Sequence, residues 1–272
     1  MASRSRTPLT QAKFEKYIKE GRGSGSGKDY RPWIEVGDFS SRGRSHRILG
    51  WKSSRNHHLL SDHEKRVFLI LEWADCVVDI REQFPLLDRE LLERVADDMG
   101  TKCSTDSETQ ELDVPTTNFM LSVKRGGCIY EEVLTIKQSQ DLNKKSVAKQ
   151  LEIERRYFHE KKIGWKIITE KDYSRLMADN IEFIHTAYRL ADYELLSNNV
   201  LSDACISLKA MLKRPGLIVR DIVNELDVEL NLQQGQSIEL LKYLLATKQI
   251  IVDFSTVKVS VMLSTSSIIN II

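Results

Sequence analysis

Lys137 closes an apolar run, residues 129–136, which follows a basic glycine turn, Lys124-Arg125-Gly126-Gly127. A second apolar run, 118–123, precedes the turn, so 115–138 (PTTNFMLSVKRGGCIYEEVLTIKQ) reads as a β-hairpin. A strand-end lysine beside a carboxylate at the head of the neighbouring strand suits metal-assisted hydrolysis of a phosphodiester. The metal activates water, and the ammonium stabilises the charged phosphate. Here the lysine is present, but the head of the first strand offers only hydroxyls and the amide of Asn118. A carboxylate comes instead from Glu64, which shares a helix face with Val67, Phe68 and Leu71 at i, i+3, i+4, i+7 spacing. Ser61-x-x-Glu64 also matches a capping box, which gives Glu64 a purely structural reading. Glu154 lies between apolar helical positions and is expected to face inward.

The elements that must position these groups follow in order. A helix from Leu59 is succeeded by a short strand at 76–80, which ends before Pro85. A polar helix (88–99), an acidic Ser/Thr-rich loop (100–114), the hairpin, a helix (146–162) and a strand (165–169) complete the series. The order α-β-(α)-β-β-α-β specifies an α/β fold, a mixed sheet flanked by helices. From about residue 172 the chain turns helical, with helices expected at 180–190, 191–198, 201–213, 219–226 and 233–247. Two β-rich runs, 250–254 and 257–262, then suggest a wing, so this half reads as a winged-helix-like module. Its last long helix carries only Lys242 and Lys248 against Glu239, which favours docking on a protein over reading DNA. The apolar tail STSSIINII is a candidate contact with a partner.

Charge is unevenly spread. Residues 1–60 hold 13 Lys+Arg against 5 Asp+Glu, a balance of +8, so the rest carries −7 within a net +1. A basic N-terminal part points to a polyanion. The candidate DNA-binding residues are Lys28, Arg42, Arg44, His46, Arg47, Lys52, Arg55 and His57, with Lys124 and Arg125 from the hairpin turn. His57 and His58 are adjacent on an extended segment and point to opposite sides, which argues against a shared metal. Trp33 and Trp51 could stack on bases, although core packing is the stronger reading. GRGSGSGK is not a phosphate loop, because Arg22 and Asp29 stand where glycine and Ser/Thr are needed. It reads as a flexible connector. The four cysteines form no C-x-x-C pair, in keeping with a reducing cytoplasm. No apolar run approaches the roughly 20 residues of a membrane span.

LLSDHEKRVFLILEW, DIREQFPLL, PTTNF, the strand ending in Lys137, and LEIERRYF occur in order, with KEGRGSGSGKDYRPW and SSRGRSHR before them. Over residues 19–169 the chain resembles TnsA, the endonuclease subunit of heteromeric cut-and-paste transposases. The resemblance implies three parts: a basic arm (1–58), a restriction-endonuclease-like domain (59–171), and a winged-helix-like, partner-binding domain (172–272). It implies nicking of the transposon 5′ ends, while a TnsB-type transposase cuts and joins the 3′ ends and a TnsC-type ATPase contacts the C-terminal region. Some relatives are directed by CRISPR-linked factors. The expected setting is the bacterial cytoplasm, at the nucleoid.

The resemblance also implies roles. Glu64 matches a helix-borne metal ligand, and Lys137 the catalytic lysine. Asn118 stands where the family has a metal-bridging aspartate, and Thr135 where it usually has glutamine. The Ile136 carbonyl is an implied backbone ligand, and Glu154 an outer or second-metal group. The implied cofactor is one or two Mg²⁺, with Mn²⁺ as a substitute, and Asn118 implies reduced occupancy. A neutral amide in place of an anion implies a cleavage-deficient copy, an aspartate-to-asparagine change that traps uncut DNA. A natural variant using Asp113 or Glu132 instead is the rival reading. Two further classes stay open: a catalytically inactive assembly factor, and a stand-alone restriction or junction-resolving nuclease.

Overall fold

Helix α2 (Asp62–Trp73) starts where the Ser61 hydroxyl accepts the Glu64 N–H at 3.1 Å, and it buries Val67, Phe68, Leu69 and Leu71. The structure is a computed structural model that describes residues 10–38, 44–105, 113–192 and 198–272. It divides into two compact units, Met1–Tyr173 and Ser174–Ile272.

In the first unit, α1 (Gln11–Lys19) and a two-stranded sheet, β1 (His46–Leu49) with β2 (Asn56–Leu59), precede α2. Then come β3 (Val77–Pro85), α3 (Arg89–Asp98), β4 (Thr116–Arg125), β5 (Cys128–Ile136), α4 (Lys145–Glu160) and β6 (Gly164–Ile168). The sheet order is β3-β4-β5-β6, antiparallel except for the parallel pair β5–β6. A parallel pair needs a crossover, and α4 supplies it. Helices α3 and α4 pack on the sheet through Leu91, Leu92, Val95, Tyr157 and Phe158 against Met120 and Val133. Gly126 and Gly127 turn the β4–β5 hairpin with φ of 54° and 84°, a region open to glycine at little cost.

Two expectations for this unit need correction. Strand β3 does not stop at residue 80; it runs on to Pro85 through Arg81, Glu82 and Gln83. The proline was expected to stop the strand early, but it is the strand's last residue, and the three polar residues before it are all buried and bonded. Nor is the segment after α1 a free connector. Trp33, Ile34, Tyr17 and Val114 form a core cluster, and Gly23 lies so close to Pro85 that a Cβ there would meet its ring at 2.3 Å. Trp33 is therefore core and not a base-stacking surface. Arg42 lies outside the described residues.

The second unit contains α5 (Arg175–His185), α6 (Asn198–Leu212), α7 (Val219–Glu229) and α8 (Gln236–Ala246). The helix expected at 191–198 falls largely outside the described residues. Leu240, Leu241, Leu244 and Leu245 bury α8, and Lys242 pairs with Glu239 at 2.7 Å. The expected wing from 250–254 and 257–262 does not form. Strand β7 (Ile250–Ile251) pairs instead with β8 (Asn270–Ile271), taken from the apolar tail. The reason is side-chain competition for the backbone. The Asn180 amide donates to the carbonyls of Phe254 (3.0 Å) and Val257 (2.7 Å) and accepts the Val259 N–H (2.9 Å). Asp253 takes the Ser255 N–H, which makes a turn where a strand was expected. Among the described residues, no helix is long and apolar enough to cross a membrane.

Candidate active site

The hairpin splays at its open end. The last register pair of the β4–β5 ladder is Phe119↔Leu134, and beyond it the Ile136 N–H bonds not to backbone but to Asn118 Oδ1, at 2.7 Å. The other end of the same amide, Nδ2, donates to Glu64 Oε1 at 2.8 Å. Glu64 Oε2 accepts the Leu60 N–H (2.7 Å) and the Gln83 amide (3.2 Å). Glu64, Asn118 and Ile136 are thus brought together, with Ile136 contributing its N–H. A cleft of about 510 Å³ opens over them, lined also by Lys137, Arg66, His63 and Asp141.

Glu64 is only 7% exposed. Burial pushes its carboxyl above the ordinary value, while the Leu60 N–H and the amides of Asn118 and Gln83 pull the other way. Both readings of Glu64 hold in part. It bonds a backbone N–H ahead of the helix, as a capping residue does, and it also turns one oxygen to the hairpin.

The orientation of the Asn118 amide follows from its neighbours. Reversed, its oxygen would face a carboxylate and its NH₂ would face an N–H, so both bonds would be lost. Magnesium asks for hard oxygen ligands, usually including carboxylates. This centre offers one carboxylate, both of whose oxygens already accept N–H bonds, and one amide whose oxygen is turned to Ile136. Among the described residues, no three His, Cys, Asp or Glu side chains group as a metal site. The residues present do not fit a tightly held Mg²⁺.

Thr135 and Glu154 form a separate cluster. The Thr135 hydroxyl donates to Glu154 Oε1 at 2.6 Å and lies 3.3 Å from the Thr117 hydroxyl. Burial raises the Glu154 carboxyl, opposed by those hydroxyls and by the Lys137 charge. The Thr135 hydroxyl is thus turned to Glu154 rather than to Glu64 and Asn118. Lys137 lines both the cleft and a second cavity of about 220 Å³, which Glu154 and Asp113 also line. Neither Asp113 nor Glu132 joins Glu64 and Asn118. Asp113 borders that second cavity, and Glu132 pairs with Arg125 and Lys166.

The structure places two of the expected DNA contacts in the interior. Arg55 holds the buried Glu82 with both guanidinium ends (2.7 and 2.6 Å) and also donates to the Gly27 and Ile80 carbonyls. His57 is 0% exposed, bonded to Glu82 through Nδ1 and to Ser53 through Nε2, each at 2.7 Å. A cation locked on a buried carboxylate is structural. Burial alone would raise the Glu82 carboxyl, but His57 and Arg55 outweigh it and hold that carboxyl far below the ordinary range. Arg44 and His46 share Asp62 at the cleft edge, and Lys52 donates to the Ala74 carbonyl. Lys28, Arg47, Lys124 and Arg125 are exposed.

The reading from sequence missed Gln83. It sits inside β3 with φ of 50°, is 4% exposed, and aims its amide at Glu64. Nothing local marks it, because glutamine is not a residue that favours this backbone region.

Comparison with known proteins adds a family. Residues 74–170 match the family described as TnsA-like endonuclease N terminal, and residues 172–254 match TnsA endonuclease C terminal. Asn118, Thr135, Lys137 and Glu154 fall inside the first match, and Glu64 precedes it. The chain is also 33% identical over 245 residues to the transposon Tn7 transposition protein TnsA of Escherichia coli, covering 90% of this chain and 86% of that protein.

Proposed function

Because the chain belongs to the TnsA endonuclease family, we propose that it is the subunit of a Tn7-like transposase built to nick the 5′ ends of the element, and that Asn118 blocks the cut in the chain as it stands. A TnsB-type transposase would act at the 3′ ends, and a TnsC-type ATPase would engage the C-terminal unit. One observation carries the reading. The Asn118 side chain sits between the Glu64 carboxylate and the Ile136 N–H, at the floor of the cleft that Lys137 lines.

In this reading the cleft receives one phosphate of the transposon end. The Lys137 ammonium contacts its oxygens and favours the charge that builds in the pentavalent state. Arg66, on the same wall, adds a positive charge. Exposed Lys28, Arg47, Lys124 and Arg125 supply backbone contacts without sequence information. Glu64 is the carboxylate that Asn118 bonds, while Asp62, Asp141 and Glu170 also line the cleft. An aspartate at position 118 would keep the bond to Ile136 and set a second anion against Glu64, the charge pattern that attracts a divalent cation.

The test is to make Asn118→Asp and assay Mg²⁺-dependent nicking of transposon-end DNA with the TnsB-type partner present. A gain of nicking is expected; no gain sinks the reading. The half-buried amide at position 118, where a carboxylate would serve a metal, also supports a second reading, in which the chain serves assembly alone. In that case Asn118→Asp stays silent while the complex with partner and DNA still forms.

A further inference from the structure

The Glu64 carboxyl is only 7% exposed, and the partners that hold it are neutral. They are three N–H donors: the Leu60 backbone at 2.7 Å, the Asn118 amide at 2.8 Å and the Gln83 amide at 3.2 Å. Asn118 goes further, because its oxygen takes the Ile136 N–H that the splayed hairpin leaves without a strand partner. One amide therefore ties α2 to both strands of the hairpin. In a metal-dependent nuclease that linkage is the task of a divalent ion.

Gln83 strengthens the case. Its neighbours pair with β4 as Glu82↔Phe119 and Phe84↔Thr117, while Gln83 itself adopts φ of 50° within the strand. A non-glycine residue rarely takes this conformation, and it persists only where its surroundings enforce it. Here the Gln83 carbonyl accepts the Trp33 N–H (3.2 Å), its side-chain oxygen accepts the Thr116 hydroxyl (3.4 Å), and its NH₂ reaches Glu64. Glycine or asparagine would suit the backbone better, but glycine has no amide and asparagine is one methylene shorter. The left-handed turn is spent on delivering a neutral donor to Glu64.

We propose that the nuclease centre of this chain is a metal-independent joint, in which the amides of Asn118 and Gln83 hold Glu64 and the end of β5 together in place of a divalent cation. The proposal rests on reading the cleft as the family's nuclease centre, but its test reads stability and metal binding, not cutting. Three consequences follow. The parent chain has the same melting temperature in EDTA as in millimolar Mg²⁺ or Mn²⁺. Asn118→Asp, by setting two carboxylates face to face, melts lower in EDTA and regains the loss when Mn²⁺ or Mg²⁺ is added. Asn118→Ala melts lower and does not respond to metal.

The experiment is thermal unfolding of the full chain and both variants at about pH 8, where unpaired carboxyls ionise, with calorimetric titration of Mn²⁺ into each. The expected fall for Asn118→Asp in EDTA is at least about 4 °C, recovered in Mn²⁺. A parent chain that binds Mn²⁺ and melts higher with it overturns the proposal, and that arm needs no variant to fold. An Asn118→Asp variant as stable as the parent in EDTA also overturns it. The two readings fail separately. If Asn118→Asp becomes metal-linked in stability yet cuts nothing, the functional reading falls and the joint stands. If it cuts but the parent already binds metal, the reverse holds.

Discussion

Replacing Arg55 with methionine tests whether the basic segment serves the fold or the DNA. The guanidinium grips Glu82 with bonds of 2.7 and 2.6 Å and adds bonds to two backbone carbonyls. Glu82 is 0% exposed and the Arg55 side chain 9%. Methionine fills much of the space but leaves Glu82 with His57 and the His58 N–H alone. Removing one partner of a buried pair costs about 3–5 kcal/mol, because the remaining charge stays desolvated. In a unit of this size each kcal/mol moves the melting temperature by about 2–4 °C, so the fall should be roughly 6–20 °C. Arg44 is the control. Its side chain is 78% exposed and it pairs with Asp62 at 2.8 Å. Such a pair is worth at most about 1 kcal/mol, so Arg44→Met should shift the melt by no more than about 4 °C. Circular dichroism melts of the two variants decide it. Equal and small shifts, with DNA affinity lost only in Arg55→Met and its salt slope reduced by about 1, would refute the reasoning and return Arg55 to the phosphate backbone.

Other outcomes follow from the same contacts. The Glu82 carboxyl lies below its ordinary value of 4.5, so its stabilising contribution is complete above about pH 4.5 and is lost as pH falls towards the depressed folded value. Urea unfolding at about pH 7 and about pH 3.5 should show a steeper loss for the parent than for Glu82→Gln, which starts less stable but lacks that slope. In the Asn118→Asp background, Lys137→Ala should reduce nicking by about 10²–10⁴-fold while the complex with end DNA still forms in a mobility-shift assay. Asn180→Ala should cost roughly 2–4 kcal/mol in urea unfolding, because two carbonyls and one N–H of residues 254–259 lose their partner.

What was legible in the sequence was local. Ser61 announced α2, and the i, i+3, i+4, i+7 face correctly turned Glu64 inward. The two glycines and flanking apolar runs announced the hairpin, and the spacing of its ends carried Asn118 and Lys137 to one cleft. The rest depended on partners distant in the chain. Arg55 and His57 look like phosphate contacts because Glu82, which claims both, lies more than twenty residues away on another strand. The short sheet β1–β2 has little apolar character of its own, since HRIL and NHHL are stabilised by what packs behind them. Gln83 gave no signal, because left-handed backbone inside a strand is imposed by tertiary contacts. The expected wing failed for a similar reason: Asn180, on α5, holds the backbone that a hairpin would have paired. Thr135 was assigned by its place before Lys137, and only the fold reveals that its hydroxyl belongs to Glu154.

The most direct test of the central claim is an experimental structure of the full chain on transposon-end DNA with its transposase partner. One phosphate at the 5′ end of the element should enter the cleft, with Lys137 on its oxygens and Glu64 and Asn118 beneath it, still joined by the hydrogen bond from the Asn118 amide. A DNA backbone that bypasses this cleft, or a phosphate that meets neither Lys137 nor the floor formed by Glu64 and Asn118, would contradict that claim.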